Sequence, residues 1–240
     1  VRPVHASPRL AGMTRCRALA LAALSCGLCS AVVERSGAGA RGALLLRSPR
    51  LEEVCSDSVT SGCKSGTWQG NICTDHPSFC KGSLGLNRCT MPQIPSMSDQ
   101  KDFDAWQIVA NGHGIYIHEV NGTAGGVASL LPSQDRLDTC NVCGMVQSAL
   151  RCFSGGQALD AQACASKAAG CFCAWDSGIS ATREGHILDG HHRWAATRLL
   201  VDSQRLPPTA RATLEVYDAP VNRIIEVAFG AREIGHKGCS

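Results

Sequence analysis

Four consecutive residues, Gly190-His191-His192-Arg193, carry the types and spacing best suited to chemistry in this chain. Asp189-Gly190 reads as a tight turn, because glycine enters backbone conformations closed to bulkier residues. His186, Ile187 and Leu188 before it suit a buried strand. After it, Trp194, Ala195, Leu199 and Leu200 share one helical face with no Gly or Pro before Pro207. A helix that begins directly after such a turn aims several unpaired N–H groups at one point, which is an anion site in outline. Arg193 in the first turn runs against the positive end of the macrodipole, and an external phosphate would reconcile the two. The competing account is structural: His192 and Arg193 cap the helix and pair with Asp189 or Glu184. Trp194 divides between core packing and base stacking, with packing the commoner fate. Asp189 is open between serving the turn, holding His192 and helping to coordinate Mg²⁺.

The run Ile187 to Ala196, with its Asp-Gly-His-His-Arg core, resembles the nucleotide-binding motif of the ParB/sulfiredoxin superfamily, in particular its small ParB-like domains. Met91-Pro92-Gln93-Ile94 and Leu131-Pro132-Ser133-Gln134 lie upstream in the expected order, the second resembling the first conserved box of those domains. The resemblance spans about residues 88 to 230. It implies an α+β fold, a small mixed sheet with packed helices, in which Gly190, His191, His192 and Arg193 cradle the phosphates of ATP or CTP with Mg²⁺. It also implies phosphotransferase or phosphohydrolase chemistry on a small-molecule or protein substrate, which needs a carboxylate base. Asp189, Glu119 and Asp135 are the candidates, with Asp138 beside them, and nothing in the sequence selects among them. Sulfiredoxins carry their reactive Cys at the position of His191, where this chain has no thiol, so sulfinic-acid reduction is disfavoured. A ParB-like nuclease would need an acidic metal cluster that is not evident. The ten residues after Gly230 leave no room for the helix-turn-helix of true partition proteins.

The chain has 240 residues, 44% of them hydrophobic, enough for one medium domain with appendages and a real core. Fifteen Cys are far above average and mean either metal clusters or disulfides, depending on compartment. Residues 1–12 read as upstream sequence and Met13 as the start of a signal peptide, so that 1–31 form a leader: Arg15 and Arg17, an apolar run Ala18 to Leu28, and a small-residue cleavage zone at Cys29-Ser30-Ala31. Cleavage there removes Cys16, Cys26 and Cys29 and leaves twelve Cys, an even number. It also removes four of the 23 basic residues, so 19 face 20 acidic ones. That near neutrality lacks the basic surface of a nucleic-acid binder. No later segment reaches the length of a membrane span.

The expected location is therefore secreted or lumenal, the alternative being an organelle reached through a transit segment. Residues 32–50, with Arg35, Arg41, Arg47 and Arg50 against Glu34, suit a linker, a propeptide or that second targeting element. The accompanying functional alternative is a secreted, disulfide-rich interaction module without turnover.

Residues 51–89 carry five Cys with little apolar periodicity and read as an extension held by disulfides, each contributing roughly 2–4 kcal/mol. The domain itself is expected over 90–240, with a Cys-rich insertion at 139–174. Within it, Ser98 can cap a helix from Asp99 to Ala110, Gly114 to Val120 reads as a strand, and Asn121-Gly122-Thr123 is both a turn and a glycosylation sequon. Val127 to Leu131 reads as a short strand. Helices are expected around Met145 to Cys152 and Ala158 to Lys167. Cys140 and Cys143 suit disulfides better than half of a zinc site. Adjacent His191 and His192, about 100° apart on a helix, suit joint metal ligation poorly. Ala212 to Tyr217 alternates like a strand, and Pro220 opens a helix to Phe229.

Overall fold

The computed structural model describes residues 48–64, 68–95, 99–151 and 178–231. The leader at 1–31, most of 32–50, Ser98, and the helix expected at Ala158 to Lys167 lie outside the described residues.

Four strands form one mixed sheet: β1 (Ile117–Thr123), β2 (Ile179–Thr182), β3 (Ile187–Asp189) and β4 (Arg211–Tyr217), in the order β1-β4-β2-β3. β4 lies antiparallel to β1 and parallel to β2, while β3 returns antiparallel to β2. Successive strand residues point to opposite faces, so Ile187 enters one core and Leu188 the other. On the first face lie α5 (Ala124–Ala128), α6 (Thr139–Arg151) and α7 (His191–Asp202), which bury Val127, Val142, Val146, Trp194, Leu199 and Leu200. On the second lie α4 (Gln100–Gly112) and α8 (Val221–Gly230), whose Trp106, Ile224 and Val227 pack with Tyr217. Trp106 Nε1 donates to the Tyr217 hydroxyl at 3.0 Å, which satisfies a polar pair inside that core.

The Cys-rich extension is part of the same compact unit as the sheet. Its short helices α1 (Leu51–Val54), α2 (Asp57–Gly62) and α3 (Ile72–Asp75) come with Leu51, Val54, Ile72 and Phe79, all buried in the first core. Cys55–Cys143 and Cys63–Cys140 tie it to α6, and Cys73–Cys80 closes a local loop. Cys89 is disulfide-bonded as well. The sulfurs of Cys140 and Cys143 are thus taken up by other cysteines, so the zinc alternative fails for this pair. Such cross-linking fits an oxidising location such as the secretory lumen. No helix among the described residues is long and apolar enough to cross a membrane.

Three local expectations are corrected. Val127 to Leu131 is not a strand: Thr123 Oγ1 accepts the Gly126 N–H at 3.2 Å and caps α5. Only Leu131 keeps extended pairing there, as an isolated parallel bridge to His186. Asn121-Gly122-Thr123 is not a turn either, because the β4 partners Thr213, Ala212 and Arg211 hold it in β1. The helix expected at Met145 begins earlier, at Thr139, where Asp138 Oδ1 accepts the Asn141 N–H at 2.8 Å.

Candidate functional site

Gly190 is the N-cap of α7 and adopts φ +87°, a left-handed conformation that disfavours any residue with a Cβ. A Cβ there would also lie 3.1 Å and 3.2 Å from two guanidinium nitrogens of Arg193, and 3.2 Å from Ile179 Cγ1. Both the backbone and the space call for glycine. Arg193 Nη2 meets Asp189 Oδ2 at 2.6 Å, with both side chains largely shielded from water. The other Asp189 oxygen accepts Gln93 Nε2 at 3.3 Å.

His191 turns away from solvent and is 4% exposed. Its Nε2 accepts the Ser133 backbone N–H at 3.2 Å and lies 3.0 Å from Ser133 Oγ, which itself donates to the Ile187 carbonyl at 2.6 Å. Burial drives the His191 pKa down to about 3, and the neighbouring basic side chains of His192 and Arg88 add to the shift. The ring is therefore neutral and fastens Leu131-Pro132-Ser133-Gln134 to the motif. Backbone bonds from Leu131 N–H to the Gly185 carbonyl and from Ile187 N–H to the Leu131 carbonyl, both 2.9 Å, complete the seam.

His192 is half-buried and accepts the Asp138 backbone N–H on Nε2 at 3.0 Å. A neutral ring accepting there carries its proton on Nδ1. The Asp138 carboxylate is fully buried and committed, to the Asn141 N–H at the start of α6 and to the Gln69 N–H at 3.3 Å.

Of the other carboxylates, Asp135 is exposed in the loop before α6. Glu119 is exposed on the edge strand, where it pairs across to Glu215, which pairs to Ser180, which pairs to Asp189. Three strand spacings put Glu119 about 14 Å from Asp189 along that row, so Glu119 does not stand at the α7 turn. The row exposes a residue the sequence reading passed over: Glu215 is 1% exposed and accepts a hydrogen bond from Ser180 Oγ. Its partner lies 35 positions away, and no local pattern marks it. Among the described residues no group of three or more His, Cys, Asp or Glu is arranged to hold a metal ion.

Three further residues adjoin the turn and were not foreseen: Trp68, Arg88 and Arg136. The guanidinium carbons of Arg88 and Arg136 stand 4.9 Å and 5.1 Å from the Trp68 ring centroid. The His192 ring meets the same indole edge-on at 5.8 Å. Burial lowers the Arg88 pKa and Arg136 adds to the lowering, while Asp189 and Asp138 oppose it. Two basic residues around an aromatic were visible as types, but 48 positions separate Arg88 from Arg136.

No protein-family model, curated protein or solved structure matches this chain.

Proposed function

We propose that this protein is a ParB/sulfiredoxin-like domain that binds the phosphates of ATP or CTP, with Mg²⁺, at the start of α7. The observation that supports this reading most is the meeting of three separate sequence motifs at one turn. Gln93 of the first motif binds Asp189, Ser133 of the second binds His191, and both partners flank Gly190 in the third. Contacts between segments 58 and 96 positions apart go beyond what capping one helix requires.

Within that reading the four residues divide the work. Gly190 lets the backbone N–H groups of the first turn face a phosphate. His191 stays neutral and holds the turn in place. His192 donates from Nδ1. Arg193 exchanges its Asp189 partner for a phosphate oxygen, which leaves Asp189 as the carboxylate beside the bound group. Asp189 is then the base for phosphotransferase or phosphohydrolase chemistry, or a ligand of the nucleotide's Mg²⁺. One or two charge-assisted hydrogen bonds at roughly 1.5–3 kcal/mol each, with about 1 kcal/mol from the helix terminus, place the dissociation constant in the micromolar to millimolar range. The disulfides support a secreted or lumenal residence for the same protein.

A second reading, a secreted interaction module without turnover, rests on one specific observation. His191, His192 and Arg193 each already have a partner inside the protein. Isothermal titration of the oxidised full chain with Mg²⁺ and ATP or CTP separates the two. Saturable binding that disappears in a folded Arg193→Ala variant is expected. Absence of heat with either nucleotide, or unchanged binding by Arg193→Ala, overturns the nucleotide reading in favour of the interaction module.

A further inference from the structure

The Cys-rich extension brings Trp68 and Arg88 against the α7 turn, and the loop before α6 brings Arg136. None of the ion pairs among the described residues includes Arg88 or Arg136. The nearest acids are engaged elsewhere, Asp189 with Arg193 and Gln93, and Asp138 with the backbone of Gln69 and Asn141. What Arg136 does hold is a contact from Nη1 to Cys89 Sγ at 3.7 Å.

Two guanidiniums at one indole repel each other, and their contacts with that ring offset this only in part. A planar guanidinium presents paired N–H donors matched to phosphate oxygens, and it stacks on an aromatic without losing them. Each of these arginines can therefore keep donors for an anion while its guanidinium stands beside Trp68. The His192 ring, touching the same indole, makes this cluster continuous with the first turn of α7.

We propose that Arg88 and Arg136, aligned on Trp68, form a second anion subsite that takes the outer phosphates of a polyphosphate ester whose inner phosphate lies at the α7 turn. The inference rests on the phosphate reading of that turn. It also gives the extension a role: besides covering the core, it supplies half of the binding wall. Within the ATP or CTP reading, the cluster assigns the outer phosphates of the triphosphate to named residues.

The test is titration of the oxidised full chain with sodium tripolyphosphate and, separately, orthophosphate. The proteins compared are the wild type, Arg136→Gln, Arg88→Gln and Arg193→Ala, each checked for fold by circular dichroism. Arg136 is exposed, so its substitution leaves the core untouched. Tripolyphosphate is expected to bind more tightly than orthophosphate. Arg136→Gln should raise its dissociation constant roughly ten- to a hundredfold, with orthophosphate binding unchanged. Unchanged tripolyphosphate affinity in both Arg136→Gln and Arg88→Gln, with loss in Arg193→Ala, overturns the subsite and leaves the α7 reading standing. Loss in the arginine pair with none in Arg193→Ala supports the subsite and overturns the α7 reading. Failure of the folded wild type to bind either anion overturns both.

Discussion

Removing the His191 ring should change how this protein responds to acid, because its burial holds the ring neutral. The folded-state pKa is about 3 against an ordinary 6.5. The unfolded chain therefore binds a proton that the folded chain refuses throughout the interval between them. A depressed folded pKa means the stabilisation is fully present above pH 6.5 and is lost as pH falls toward the folded value. At pH 5 the gap is about one and a half pH units, and at 1.36 kcal/mol per unit the native state loses about 2 kcal/mol relative to pH 7.5. Against a total stability of roughly 5–15 kcal/mol, such a loss is readily measured. His191→Phe keeps a ring in the core but removes both the titration and the acceptor for the Ser133 N–H. It should cost about 1–3 kcal/mol at pH 7.5, the penalty of one orphaned buried donor, and should abolish the His191 share of the acid response. Urea unfolding of both proteins at pH 7.5 and 5.0 reads these numbers directly. The difference of differences should be about 2 kcal/mol, with the wild type losing more on acidification. Equal acid sensitivity in the two proteins would refute the neutral buried imidazole, and with it the claim that His191 fastens the second motif instead of binding phosphate.

Two further outcomes follow from the same geometry. Gly190→Ala forces a Cβ into the left-handed region and against Arg193 and Ile179, so it should lower stability by about 1–2 kcal/mol and weaken ATP and tripolyphosphate binding together; thermal melting and titration check both halves. Replacing both nested bridges, Cys55–Cys143 and Cys63–Cys140, opens 88 positions of chain, should cost at least about 2–5 kcal/mol and should exceed the cost of replacing Cys73 and Cys80, which closes seven; equal effects in denaturant melts would contradict the loop argument.

Where structure follows from short-range rules, the sequence was sufficient. The Asp189-Gly190 turn, the helix after it, the strand ending at Tyr217 and the Pro220-led helix arise from turn chemistry, periodicity and capping within a few residues. Burial of Trp194 belongs to the same class, since its helical face sets it. Tertiary partners decided the rest. The sequon became strand because β4 offered it a ladder, and the expected strand at Val127 to Leu131 lost Val127 and Ala128 to a helix capped by Thr123. His191 and His192 are neighbours in sequence with identical side chains. One is fully buried and held by Ser133 and the other half-buried beside Trp68, because each reaches a segment that only the folded chain brings near. The chemical types at the turn were written in the sequence. Which of them turn into the core and which stay half-exposed depends on residues 54 to 124 positions away, and no local rule carries that information.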